Sequence, residues 1–110
     1  DYTNAQKYYL RTIEIDPNYV KAHYNMGVMN IDISQDILDE MNKLGMSKAD
    51  MVKYDKLKEK REGVLKEVIK YFEKTLQLTP DNEDAKVALV SVYSALDMTD
   101  KAKALKATLK

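Results

Sequence analysis

Two prolines, Pro17 and Pro80, stand in near-identical settings, Glu14-Ile15-Asp16-Pro17-Asn18 and Gln77-Leu78-Thr79-Pro80-Asp81. Each closes an amphipathic run with three marked positions upstream. These are Ala5, Tyr9 and Thr12 in the first run, and Val68, Phe72 and Thr75 in the second. The offsets back from the proline are twelve, eight and five residues in both, so one helical unit is written twice. Such a unit cannot bury its apolar face alone, and copies must stack. The repetition predicts a solenoid, an architecture that serves binding more often than catalysis.

The rest of the chain agrees with a helical reading. Only three Gly and two Pro interrupt 110 residues, and β-branched residues never gather into alternating strands, so the fold class is all-α. That length is one domain's worth of chain. Eighteen basic residues balance eighteen acidic ones, which leaves no global field to attract nucleic acid or an anionic membrane. Cysteine is absent, excluding thiol chemistry, disulfides and cysteine-ligated zinc. No apolar run has the length of a membrane span, so no membrane insertion is expected. The chain opens at Asp1-Tyr2 inside a repeat, from which a truncated chain is expected, with any export signal upstream.

The first helix is predicted over 2–15, with Ala5, Tyr8, Tyr9, Thr12 and Ile13 forming one buried stripe. Asp16-Pro17 ends it, since the residue before proline is pushed out of the helical region, and Pro17 then opens the second helix. That helix carries Tyr19, Ala22, His23, Met26, Gly27 and Asn30 inward and continues through Ile33, Ile37, Met41 and Leu44. Gly45 is a natural left-handed stop. Ser47 is the expected cap of a third helix, with Asp50 completing an acidic capping box. The third helix reads from near Lys48 to Leu78, about 46 Å at 1.5 Å per residue. Val52, Leu57 and Val64 are its only apolar seam through a densely charged middle. A fourth helix is predicted over 82–96, with Ala85, Leu89, Val92, Tyr93 and Leu96 inward. A fifth follows over 99–109, capped by Thr99, with Ala102, Leu105 and Leu109 inward.

The run Ala22-His23-Tyr24-Asn25-Met26-Gly27 followed by Asn30 resembles the first helix of a tetratricopeptide repeat. Ala5, Tyr9, Thr12 and Pro17 resemble the second helix of a preceding repeat. Phe72, Thr75 and Pro80 repeat that match, and Ala85, Leu89, Tyr93 and Ala102 outline a third unit. The resemblance implies an antiparallel helix-hairpin solenoid in a single domain. Residues 1–17 would be the second helix of repeat one, 18–80 repeat two and 81–110 repeat three. It also implies packing roles for Ala5, Tyr9, Pro17, Gly27, Phe72, Pro80, Leu89, Tyr93 and Ala102. His23, Asn30 and Val68 depart from the family pattern, which implies looser packing in repeat two.

Repeat two carries an insertion at about 34–63. On one reading both helices lengthen into a two-helix projection with its tip at 44–47. On the other, 48–61 is a separate helix and the chain turns at Gly63, where the family's interhelix turn normally has Gly. A Gly inside a helix costs only about 1 kcal/mol, and no Pro, Asn or Ser accompanies it, which favours the continuous helix. An elongated carboxyl-terminal repeat is similar to exported tetratricopeptide proteins of Bacteroidetes. That likeness implies a bacterial cell envelope or periplasmic location, with the cytoplasm as the alternative.

Nothing in the sequence recommends an enzyme, and no cofactor is expected. His23 is the only histidine and has neither a second His nor a Cys to share a metal, so it reads as a packing residue. Tyr8 with Tyr9, or Asp36 with Asp39 and Glu40, read as core aromatics and a solvated helix face rather than as proton-transfer groups. The basic residues from Lys53 to Arg61 interleave with Asp50, Asp55, Glu59 and Glu62 at helical neighbour spacing, so they pair locally instead of tracking phosphates. Met26, Met29, Met41, Met46 and Met51 read as filling for a loose core around the insertion.

The family's usual ligand groove is the concave face of each repeat's first helix. Carried over by residue, it offers Lys21, Tyr24, Asn25, Val28 and Ile31, then Asp84, Val87, Ala88, Ser91 and Ser94. Asn25 matches one position of the clamp that some members use on chaperone tails, yet the third repeat lacks the basic residues that clamp needs. The groove is mildly apolar and suits a peptide or protein segment. The alternative is a structural role, in which the long hairpin and the open first repeat form a homodimer through Tyr8, Thr12 and Ile13.

Overall fold

A computed structural model describes residues 2–110; Asp1 lies outside the described residues. Five helices follow in order: α1 (Thr3–Ile15), α2 (Val20–Asn42), α3 (Lys48–Leu78), α4 (Glu83–Ala95) and α5 (Thr99–Lys106). The chain is all-helical, with no strand among the described residues. Each helix packs on its successor. Contacts pair Tyr24 with Phe72 and Arg61 with Ser34, so α2 and α3 run in opposite senses.

The two proline turns are built alike. Thr12 Oγ1 donates to the Tyr8 carbonyl at 2.9 Å, and Thr75 Oγ1 to the Tyr71 carbonyl at 2.8 Å. The Tyr19 amide then returns to the Asp16 carbonyl at 3.1 Å, as the Asn82 amide does to Thr79 at 3.2 Å. Both prolines are exposed within these turns. Neither opens a helix: α2 starts at Val20, and Tyr19 is its flanking residue, 46% exposed. Pro17 and Pro80 thus fix turn geometry, where a locked φ suits the second position, rather than filling a packing gap.

Two apolar clusters form the core. One joins Tyr71 of α3 to Met26 and Met29 of α2, with Ala5, Tyr9 and Ile13 of α1 half-buried against it. The other joins Leu65, Val68 and Phe72 of α3 to Ala85, Leu89 and Tyr93 of α4 and Ala102 of α5. Phe72 and Leu89 are each 1% exposed, and full burial of such a side chain is worth about 1.5–3 kcal/mol. Gly27 faces the Phe72 ring, and no side chain would fit between them. The expected stripe of α1 breaks at Tyr8, which is 66% exposed. Its counterpart Tyr71 is covered by α2, whereas Tyr8 has no such helix over it among the described residues.

Gly63 lies inside α3, so the helix is continuous from Lys48 to Leu78. Beyond Asp36 on α2 and before Glu62 on α3 the two helices form a projection in which Ile37 and Met41 are buried and Leu57 is half-buried. Val52, expected in the seam, is 54% exposed, and Met46 and Met51 face solvent rather than core. The tip also differs from expectation at Gly45, which keeps a negative φ. The Gly45 amide donates to the Asp50 carboxylate at 2.8 Å, while Ser47 Oγ accepts from the Asp50 amide at 3.1 Å. Ser47 caps α3 as expected, but the reciprocal bond goes to Gly45 instead of Ser47.

Among the described residues Asp97 is the one in the left-handed region, at φ 58°. It ends α4 in a motif where the Met98 amide reaches the Tyr93 carbonyl at 2.8 Å and the Asp97 amide reaches Ser94 at 3.1 Å. These bonds satisfy carbonyls that the helix end would leave open. Met98, not Thr99, flanks α5, without a side-chain cap, and α5 stops at Lys106, short of Leu109.

Candidate concave groove between α2 and α4

Helix periodicity places the candidate residues. Lys21, Tyr24, Val28 and Ile31 step by three and four along α2, and Asp84, Val87, Ala88 and Ser91 do so along α4. Tyr24 is half-buried with its ring 5.6 Å from that of Phe72. Val28 and Val87 are 38% and 56% exposed.

A groove of about 290 Å³ brings Ile31, Val87, Ala88 and Ser91 together. Leu65 and Arg61 of α3 contribute to its lining, and Ser34, Gln35 and Ala95 extend it. Arg61 Nε donates to the Ser34 carbonyl at 3.3 Å, so this half-buried cation is tied to α2. The groove presents apolar carbon and small hydroxyls beside the Arg61 guanidinium, a lining suited to a stretch of peptide.

Lys21 and Asn25 are drawn elsewhere. They line a separate depression of about 260 Å³ with Tyr8, Tyr9, Thr12 and Tyr19. Tyr24, Val28, Asp84 and Ser94 line neither cavity. Sequence reasoning missed Arg61, reading it as part of a solvated charged run. Its signal was its register: Leu57, Arg61, Leu65, Val68 and Phe72 share one helical stripe facing α2.

Other polar groups are committed to structure. His23 is buried, and its Nε2–H donates to the Pro17 carbonyl at 2.7 Å, pinning the turn to α2. Asn30 Nδ2 donates to the Met26 carbonyl at 2.8 Å. Asp36 accepts from the Tyr2 hydroxyl at 2.9 Å, and that bond raises the Tyr2 pKa. The Tyr93 hydroxyl donates to Glu73, and burial foremost, then this bond, pushes its pKa up. Lys86 is buried and donates to the Thr108 carbonyl at 3.3 Å, binding α4 to the segment that follows α5. No group of three or more His, Cys, Asp or Glu residues among those described could hold a metal ion. No described helix is long and apolar enough to cross a membrane.

No family model, curated protein or solved structure matches the chain.

Proposed function

We propose that the chain is a non-catalytic interaction scaffold of the tetratricopeptide type, and that it binds a peptide or protein segment in the groove between α2 and α4. The observation that carries this reading is the convergence of Ile31, Val87 and Ser91 on one trough whose single charged lining residue is Arg61. The repeated proline turns and the pairwise packing of successive helices support a solenoid of antiparallel hairpins, in which α2 and α4 run in the same sense and line one face. A segment lying there would gain apolar contact from Ile31 and Val87 and hydrogen bonds from Ser91, the pattern of peptide grooves in which a few polar groups fix register.

The test is a peptide-array selection against the chain, followed by titration of the selected sequence. Val87→Asp places a charge in the trough without touching the core and should weaken binding by about tenfold or more. Unchanged affinity in that variant, with helicity intact, would remove the groove from the reading.

A second reading rests on α1 and the turn that follows it. Tyr8, Ile15 and Tyr19 are 66%, 71% and 46% exposed, an apolar face that a second copy could cover. Sedimentation of the parent chain and of Tyr8→Ser at several concentrations separates the two. A tight dimer lost in Tyr8→Ser favours assembly over peptide capture.

A further inference from the structure

On another side of α2, a groove of about 650 Å³ opens between α1 and α3. Leu10 and Ile13 of α1 and Ile69 and Tyr71 of α3 supply its apolar lining, and Leu10 is 43% exposed. Lys66, Lys70 and Lys74 line the same groove. Four residues apart on one helix, they leave α3 on neighbouring turns at intervals of about 6 Å.

This edge is under-neutralised. Lys70 meets Glu67 at 3.9 Å with both side chains mostly exposed, a weak pair. Lys74 donates to the Gln77 side-chain oxygen at 3.3 Å. Among the described residues neither Lys66 nor Lys74 pairs with a carboxylate. Glu73, the acidic residue of the lining, already accepts from Tyr93 and lies 3.9 Å from Lys101. A cationic edge thus borders an apolar trough in a chain of zero net charge.

We propose that this groove docks an acidic amphipathic helix of a partner protein. Carboxylates four residues apart on that helix repeat at the lysine interval of about 6 Å and face Lys66, Lys70 and Lys74. Its apolar side chains, on the adjacent stripe, cover Leu10, Ile13 and Tyr71. The lining from Lys66 to Gln77 spans about 16 Å, the length of three helical turns. Nucleic acid fits less well, because Glu67 and Glu73 interrupt the positive edge that phosphates would track. The site is separate from the groove between α2 and α4 and stands whether or not that groove binds peptide.

The experiment is fluorescence anisotropy on the full chain with labelled peptides of about 16 residues. One carries Glu at every fourth position with Leu on the adjacent stripe; a second scrambles the same composition; a third replaces Glu with Lys. The first peptide should bind, and Lys70→Glu or Lys66→Glu should weaken it by about tenfold or more, as should added salt. The Lys peptide should gain affinity for Lys70→Glu, and Val87→Asp should leave the first peptide unaffected. Equal binding of the scramble, indifference to both charge reversals, or stronger binding of labelled single-stranded DNA would overturn the proposal. So would a dimer of the parent chain that Lys70→Glu dissociates, since a second copy would then be the occupant.

Discussion

Gly27 and Phe72 approach so closely that a methyl group on Gly27 would stand 2.6 Å from Cε1 of the ring and 2.8 Å from Cδ1 and Cζ. The ring cannot retreat easily, because it is 1% exposed and packs against Tyr24. Gly27→Ala should therefore lose stability even though Ala gains about 1 kcal/mol of helix propensity. Overpacking costs about 1–3 kcal/mol, which predicts a net loss of up to about 2 kcal/mol in urea denaturation. Phe72→Leu in the same chain should recover part of the loss relative to the two single variants. A more stable Gly27→Ala chain would show that the core has slack there.

Gly63 is the opposite case. It lies in the interior of α3, is exposed, and nothing would stand within 4 Å of an added methyl. Gly63→Ala should raise stability by up to about 1 kcal/mol through helix propensity and a less flexible unfolded chain. A drop in the urea midpoint would mean that the backbone turns at this residue.

Tyr93 supplies a pH dependence with a definite sign. Burial, and then the bond to Glu73, raise its pKa above the ordinary phenol value of about 10. Above that pH the unfolded chain releases the phenol proton before the folded chain does, so the folded state binds more protons and stability falls as pH rises. Below it the contribution is fully present. Urea midpoints should decline above pH 10 more steeply in the parent than in Tyr93→Phe. Equal slopes would place the decline on other groups.

The parts of the fold that were legible in the sequence were those set by local chemistry. The offsets before Pro17 and Pro80 located both turns, Ser47 marked the start of α3, and the absence of breakers beside Gly63 favoured one long helix. What was not legible depended on which neighbour arrives. Tyr8 and Tyr71 hold the same register, yet α2 covers only Tyr71. Gly45 and Asp97 exchanged roles, because the Asp50 carboxylate holds the Gly45 amide while the link from Met98 to Tyr93 forces Asp97 left-handed. The candidate groove was half legible. Ile31, Val87 and Ser91 came from the resemblance to tetratricopeptide first helices, whereas Arg61 and Ala95 enter through the packing of α3 and α4. The lysine edge was missed in the sequence, because Lys66, Lys70 and Lys74 border a groove only once α1 supplies the opposite wall.

The projection carries a mechanical consequence. The two apolar clusters include no residue between 34 and 64, so this finger is fastened by a single pair of helices and anchored at one end. Its amide protons near Gly45 should trade with deuterated water long before those beside Phe72. Warming should unzip it from the tip while the remainder stays folded, leaving a molecule that melts in two instalments rather than one.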